Sequence, residues 1–512
     1  MKHISIFFKQ ILFTVICLVT LSCTNTSKDR LPEPKIQSGI AKLTGNITNY
    51  RSNKGEENPT IILTFPNPVS GESGIFESIL NKDGSFKFEV PVECNMTIGI
   101  IYGPAMNGNT CCVGLIPGGS TKIELSFDKV GNVIGNMVNP LNLTSGDIVN
   151  YGKMVDNLMM ARGPKPYYNM SPVEFGHLVT EKLMPNRMKE SINDSLLSKS
   201  GRNFISNECK LICLDNYILD YHNYILLNYR NTKKKSEPDN LLAQVPQRSF
   251  YTILKSFNLN DPQYLYNNFY PKVLHSILSN ETLNIPRIKE TPVNVWLKEV
   301  KTNVSDLVGF DTGIFYDLLV ANAYDWQLNR EAEPLSEKQK GNIKSYFKNE
   351  AFTKVLLKKN DEIIKSYVSN SFFKTVVNKT PSVPENKLMN TIISKYKGKA
   401  IVVDFWATWC GPCMQAMKEI RQVKSDMQGE NITFVYITDD SSPKKLFEED
   451  IKMIGGEQYY LTQKECRTIM DHYGFKGIPS YLFFDTKGVL NNKGSGYPGT
   501  EKMKKMIREL LP

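Results

Sequence analysis

Residues 402–417 read VVDFWATWCGPCMQAM, from Val402 to Met417, and this stretch decides what the chain is. It continues "KAIVVDFWA", a nearly unbroken apolar run of the kind that marks a strand buried on both faces. Asp404 interrupts that run. A carboxylate placed there loses hydration, so its pKa rises and it exchanges protons nearer neutrality than usual. A buried aspartate satisfied by a structural hydrogen bond is the competing reading. Its place six residues before Cys410 favours a role in chemistry. Beyond the strand, Cys413, Met417, Ile420, Val423 and Met427 step by four, three, three and four, which predicts one buried helical stripe. Cys413 then faces inward. Cys410 stands at the helix entrance, where unbonded N–H groups and the helix dipole favour negative charge. The outer sulfur, Cys410, is therefore expected to be the more acidic and nucleophilic thiol. Pro412 suits the first turn, because its missing N–H would have no partner there anyway.

Other readings of the Cys410/Cys413 pair fare less well. Zinc would want a second Cys/His pair at ligand spacing, and Cys466 with His472 does not match it. A purely structural disulfide closing so short a loop restrains the unfolded chain little. A thiol peroxidase would need a threonine placed for a single peroxidatic cysteine; Thr408, two residues before Cys410, keeps that as an alternative. The preferred chemistry needs two thiols and a proton acceptor, with no metal and no cofactor.

The 512 residues suggest about three domains at roughly 100–200 residues each. A hydrophobic content of 41% and a charged content of 22% describe an ordinary globular protein. The net charge of +10 is spread thinly, with no basic patch interleaved with aromatics, so nucleic acid is not an expected partner. At the start, Lys2, His3 and Lys9 precede the short apolar core "ILFTVICLVTLS", too short to span a bilayer and suited to a secretory signal. The segment ends in "LVTLSC", which resembles a bacterial lipoprotein signal with Cys23 as the lipidated residue. It departs from that pattern in carrying Thr20 where leucine is preferred, with Leu21 one place late. The tail "TNTSKDRLPEPK" reads as a flexible tether.

From about Ile40 to Asp128 the pattern is β: "PTIILTF", "GSTKIELSFD", and "NKDGSFKFEV" with an Asp83–Gly84 turn before Phe86 and Phe88. Cys111 and Cys112 are neighbours there and cannot both face one core, leaving a strained vicinal disulfide or two free thiols. From about Gly146 to Asn378 it turns helical, as in "CKLICLDNYILDYHNYI", where Leu211, Leu214, Ile218, Tyr221 and Ile225 share a face. Cys209 and Cys213, one turn apart, read as small buried hydrophobes. "NKTPSVPEN" is a linker, and beyond it strands alternate with helices in the βαβ manner.

"DFWATWCGPC" strongly resembles the thioredoxin superfamily active site, and the exported, anchored setting resembles its TlpA/ResA-type thiol–disulfide oxidoreductase branch. "FKGIPSYLFFD" matches the family's cis-proline at Pro479, and "NITFVYIT" and "TEKMKKMIRELL" match a central strand and the terminal helix. The resemblance covers roughly residues 387–512. It implies catalytic roles for Cys410, Cys413 and Asp404, and a substrate-binding surface of Trp409, Gly411, Pro412, Ile478 and Pro479. It departs from the branch at Ala416 and Lys418, where relatives often carry glutamate and proline, which shifts proton handling to Asp404. Bacteroidetes-type lipoproteins with an N-terminal β domain share this layout.

The expected protein is therefore multidomain. A lipoprotein signal peptide spans 1–22, a linker 23–39, an all-β sandwich-like domain 40–135, a mainly α-helical region 136–378 and an α/β thioredoxin-like domain 379–512. It is expected in the cell envelope, facing the periplasm and lipid-anchored, in the outer membrane rather than the inner. Its expected partners are disulfide-bonded exported proteins and a membrane thiol electron donor. The competing reading is an anchored binding or scaffold lipoprotein in which the redox domain is accessory.

Overall fold

The computed structural model describes residues 29–49, 60–71, 73–101, 110–127, 133–138, 141, 143–160, 165–234, 243–331, 333–370 and 374–511. The expected signal peptide and Cys23 lie outside the described residues. The chain forms two compact units: one ends at Tyr324 and takes in Lys338–Leu356, the other joins Asp325–Glu337 to Leu357–Pro512.

The first unit contains eight described strands: β1 (Ile36–Thr48), β2 (Thr60–Pro66), β3 (Ser73–Ile79), β4 (Ser85–Cys94), β5 (Met96–Ile101), β6 (Thr110–Leu115), β7 (Ser120–Phe127) and β8 (Val133–Val138). They pair as two four-stranded sheets, in the orders β4-β1-β7-β8 and β3-β2-β5-β6. Along β4, Phe86, Phe88 and Val90 are buried and alternate with exposed Lys87 and Glu89, the period-two pattern of a strand with one face in a core. Gly84 opens this strand at φ +81°, where an added Cβ would stand 2.3 Å from the Ile47 carbonyl oxygen, so the turn demands glycine. Cys111 and Cys112 are free thiols, one of the two expected outcomes, and both are buried. The helix Ser145–Met160 packs on β6, so this strand is covered on both faces.

In the helical part, Leu211, Leu214, Ile218, Tyr221 and Ile225 are all buried as the spacing predicts. The helix that carries them is not uniform: Lys199–Cys213 passes through a π turn, Leu214–Leu219, into Tyr221–Thr232. Sheets and helices expected as separate domains form one unit here. Buried polar links join them, with the Thr97 hydroxyl donating to the Tyr266 carbonyl (2.6 Å) and the Asn322 amide to that of Pro68 (2.9 Å).

The second unit is built on a six-stranded sheet, β14-β13-β10-β11-β12-β9. Its strands are β9 (Thr375–Asn378), β10 (Ala400–Phe405), β11 (Ile432–Asp439), β12 (Gly456–Leu461), β13 (Ser480–Phe484) and β14 (Leu490–Ser495). β9 to β12 run parallel, while β13 and β14 are antiparallel additions. Alternation along β10 divides its side chains between two cores. Ala400, Val402 and Trp406 pack toward the helices Gly411–Asp426, Lys444–Ile454 and Thr500–Arg508. Ile401, Val403 and Phe405 pack toward Glu385–Ser394 and Gln463–Tyr473. β9 corrects the boundary expected at residue 379: Thr375–Asn378 pairs with Gly456–Tyr459 and so belongs to this sheet, not to a helical region.

Candidate active site

The dithiol sits where strand β10 gives way to a helix. Cys410 is the N-cap of Gly411–Asp426, and its Sγ accepts the Cys413 N–H at 3.2 Å. Pro412 lies in the first turn, as its lack of an N–H predicts. Cys410 and Cys413 are joined as a disulfide with Cα atoms 5.3 Å apart. The stripe of Cys413, Met417, Ile420, Val423 and Met427 is buried throughout. The contrast expected between an outer and an inner sulfur is small at the residue level, 4% exposure for Cys410 against 1% for Cys413. Cys410 packs in the same cluster as Trp406 and Met417, which covers all but its cap position. What reaches solvent is the rim: Gly411, Pro412 and Trp409, the last 52% exposed with its indole N–H donating to Ser441 Oγ at 3.1 Å. A Cβ at Gly411 would meet nothing within 4 Å, so packing does not require glycine there; its absence leaves the approach to the sulfurs open.

Beneath the helix lies Asp404. The alternation of β10 puts it on the same face as Val402 and Trp406, the face covered by the dithiol helix. It is buried, and neither carboxylate oxygen has a hydrogen-bond partner among the described residues. The structural-hydrogen-bond reading is thereby removed. Burial pushes its pKa well above the usual carboxylate range, and the Lys424 ammonium pulls it part of the way back. Register places Tyr436 of β11 and Tyr481 of β13 on either side of Asp404. Both phenols are pushed up by burial and, secondarily, by the carboxylate's charge.

Lys424 is the residue that reading the sequence missed. Its side chain is buried, its Nζ donates to the Ile454 carbonyl at 2.7 Å, and it lies over the rings of Phe434 (5.1 Å) and Tyr436 (4.7 Å). Burial lowers its pKa to about 7, against the pull of Asp404. The signal was present: Cys413, Met417, Ile420, Lys424 and Met427 also step by four, three, four and three, so a lysine stands on the apolar stripe itself.

The remaining predicted residues border the same core. Ile478 packs against the cluster that holds both cysteines, and the Ile478–Pro479 bond is cis. The Pro479 carbonyl accepts the Gly496 N–H at 2.8 Å, tying this loop to the end of β14. On the opposite flank the Thr408 N–H donates to Ser442 Oγ (3.1 Å), which also bonds Thr438 (2.8 Å). Cys466, at the start of Gln463–Tyr473, is a buried free thiol in the other core, apart from the dithiol.

A thioredoxin-like family model matches residues 398–490. An uncharacterized protein of Haemophilus influenzae is 26% identical over 115 residues, which is 22% of this chain and 74% of that protein. Thioredoxin-like protein YneN of Bacillus subtilis is 27% identical over 117 residues, 22% of this chain and 65% of its own length. The thiol-disulfide oxidoreductase ResA of Geobacillus thermodenitrificans is 21% identical over 120 residues, 23% and 68% of the two chains. Among solved structures, a thioredoxin-family thiol:disulfide interchange protein from Chlorobium tepidum aligns over 23% of this chain and 83% of its own, with 24% identity and a TM-score of 0.21. These matches cover less than a quarter of the chain. The family model, with a cysteine capping a helix above a buried aspartate, marks residues 398–490 as a thioredoxin-like domain, and its sequence relatives are similar to thiol–disulfide oxidoreductases of the ResA type.

Proposed function

We propose that the whole protein reduces disulfide bonds of exported proteins through Cys410 and Cys413. The observation that carries this reading is the disulfide at a helix N-terminus, set over a buried carboxyl without a hydrogen-bond partner among the described residues. In the reduced protein the Cys410 thiolate, favoured by the helix terminus, attacks a substrate disulfide. The substrate S–S bond breaks, a Cys410–substrate disulfide forms, and one substrate sulfur leaves and takes up a proton. Cys413 then gives its proton to Asp404 and attacks Cys410 Sγ, which expels the second substrate thiol. Two electrons pass to the substrate, and the Cys410–Cys413 bond remains. A membrane thiol donor returns the two electrons for the next cycle.

Around this centre, exposed Trp409 with Gly411, Pro412, Ile478 and Pro479 forms the surface that receives the substrate chain. Export and anchoring through Cys23, with the domain facing the periplasm from the outer membrane, complete the reading. Support comes from the apolar N-terminal segment ending in "LVTLSC" and from the likeness to ResA-type relatives.

Insulin reduction by the full chain tests the chemistry. Cys410→Ser is expected to abolish turnover, and Cys413→Ala to accumulate mixed disulfides through Cys410. Equal activity of wild type and Cys410→Ser would remove Cys410 as nucleophile. If the double-cysteine variant recovers the same partners as Cys413→Ala, binding rather than exchange is the main activity, and the scaffold reading replaces this one.

A further inference from the structure

The loop ahead of Cys410 has a partner that the thioredoxin-like stretch does not supply. Asp325–Glu337 belongs to the C-terminal unit although it precedes β9 in sequence. Its π turn, Gln327–Glu331, packs on the helix Lys444–Ile454. From that turn Arg330, its side chain only 15% exposed, reaches three groups. One guanidinium nitrogen donates to the Thr408 carbonyl at 3.3 Å. The other lies 3.5 Å from Asp450 Oδ2, on a side chain with no exposure at all. The guanidinium carbon stands 4.7 Å over the ring of Trp326, whose N–H donates to Glu449 at 3.3 Å.

A solvated surface arginine is not held in this way. It has many rotamers to lose and a screened charge, so its ion pairs contribute little. Here one planar fork stacks, pairs and donates at once, an arrangement lysine cannot reproduce. The carbonyl it holds is informative. Thr408 is two residues from the capping sulfur, and its N–H is already fixed by Ser442. The Cys410 N–H closes the same turn on the Ala407 carbonyl at 3.0 Å. With Arg330 on its carbonyl, Thr408 is held at both ends of the residue.

We propose that Arg330 is a positioning residue for the dithiol: it clamps the Thr408 carbonyl, fixes the turn that presents Cys410, and brings a cation whose reach Asp450 moderates. The inference rests on Cys410 being the reactive sulfur. It separates from a fold-holding role by sign. Arg330→Gln withdraws the cation, whereas Asp450→Asn keeps it and removes the carboxylate charge paired with it. If the pair only holds the fold, both variants break the same link and disturb the site in the same direction.

The experiment uses the full chain, first reduced with excess dithiol and freed of it, with Cys410 alkylation by iodoacetamide at fixed pH 7 followed on its peptide, and, separately, the Cys410–Cys413 disulfide equilibrated against glutathione. Arg330→Gln is expected to slow alkylation about threefold and to favour the disulfide by a similar factor, because loss of the cation destabilises the reduced thiolate. Asp450→Asn is expected to speed alkylation and to disfavour the disulfide. This isosteric variant decides the matter if Arg330→Gln does not fold: slower or unchanged alkylation then overturns the proposal. Shifts of the same sign in both variants, or none in either, also overturn it. Insulin reduction by the wild type reports separately on the proposed function, since neither readout here needs a protein substrate.

Discussion

Asp404 is held where no neighbour among the described residues offers it a hydrogen bond, and that has a measurable consequence. Its pKa in the folded protein is well above the ordinary 3.8, so between these two values the unfolded chain ionises while the folded one stays protonated. Stability conferred by the protonated group is therefore present at low pH and lost as pH rises through that window. Asp404→Asn, equally buried but without an ionisation to suppress, is expected to be more stable than wild type at pH 7 by roughly 1.4 kcal/mol for each unit of the pKa rise below that pH. The gain should fade as pH drops toward 4, which urea unfolding at the two pH values measures. The same variant should stall at the mixed disulfide, since Cys413 loses its proton acceptor. Lys424 acts in the opposite sense on the pair, lowering the carboxyl pKa while burial depresses its own to about 7. Lys424→Met should thus hold Asp404 neutral to higher pH and move the pH profile of the resolving step upward; a downward move contradicts the coupling. At this scale Cys410, Cys413 and Asp404 were legible because strand and helix periodicities intersect at them. Lys424 was passed over although its place on the apolar stripe marks it, and Arg330 was not read, because a lone cation in sequence looks like a solvated face until its surroundings are known.

Elements with strong periodicity were legible, and those defined by a partner were not. The terminal helix Thr500–Arg508, which the resemblance implied for "TEKMKKMIRELL", buries Met503 and Ile507 completely. Ile507→Ala is expected to cost about 2–5 kcal/mol, read as a lower denaturation midpoint of the C-terminal unit. β9 escaped detection because four residues with exposed Val376 and Val377 carry no burial pattern; parallel pairing with β12 makes them a strand. The π turns at Leu214–Leu219 and Gln327–Glu331 were equally invisible, since they preserve helical composition while changing the pitch. Their effect is on direction. The second of them aims Arg330 at Thr408.

At the scale of the molecule, the redox unit is discontinuous in sequence: the chain passes between units at residues 324/325, 337/338 and 356/357. A fragment starting at residue 379 lacks both β9 and Arg330. It is expected to unfold at lower urea than the same unit in the full chain, with midpoints read by limited proteolysis; equal midpoints would show that the excluded segments add nothing. No periodicity could have announced this arrangement, because a contact between Arg330 and Asp450 spans 120 positions. That span also imposes an order of assembly. Synthesis delivers Asp325–Glu337 well before its partners, and at about 5–20 residues per second Asp450 follows on the order of ten seconds later. During that interval Trp326 and Leu328, both buried in the finished unit, lie in a nascent chain without the helix they pack against. The helix Thr500–Arg508 also covers one face of the dithiol core. The reactive centre is therefore complete only when these distant segments have come together.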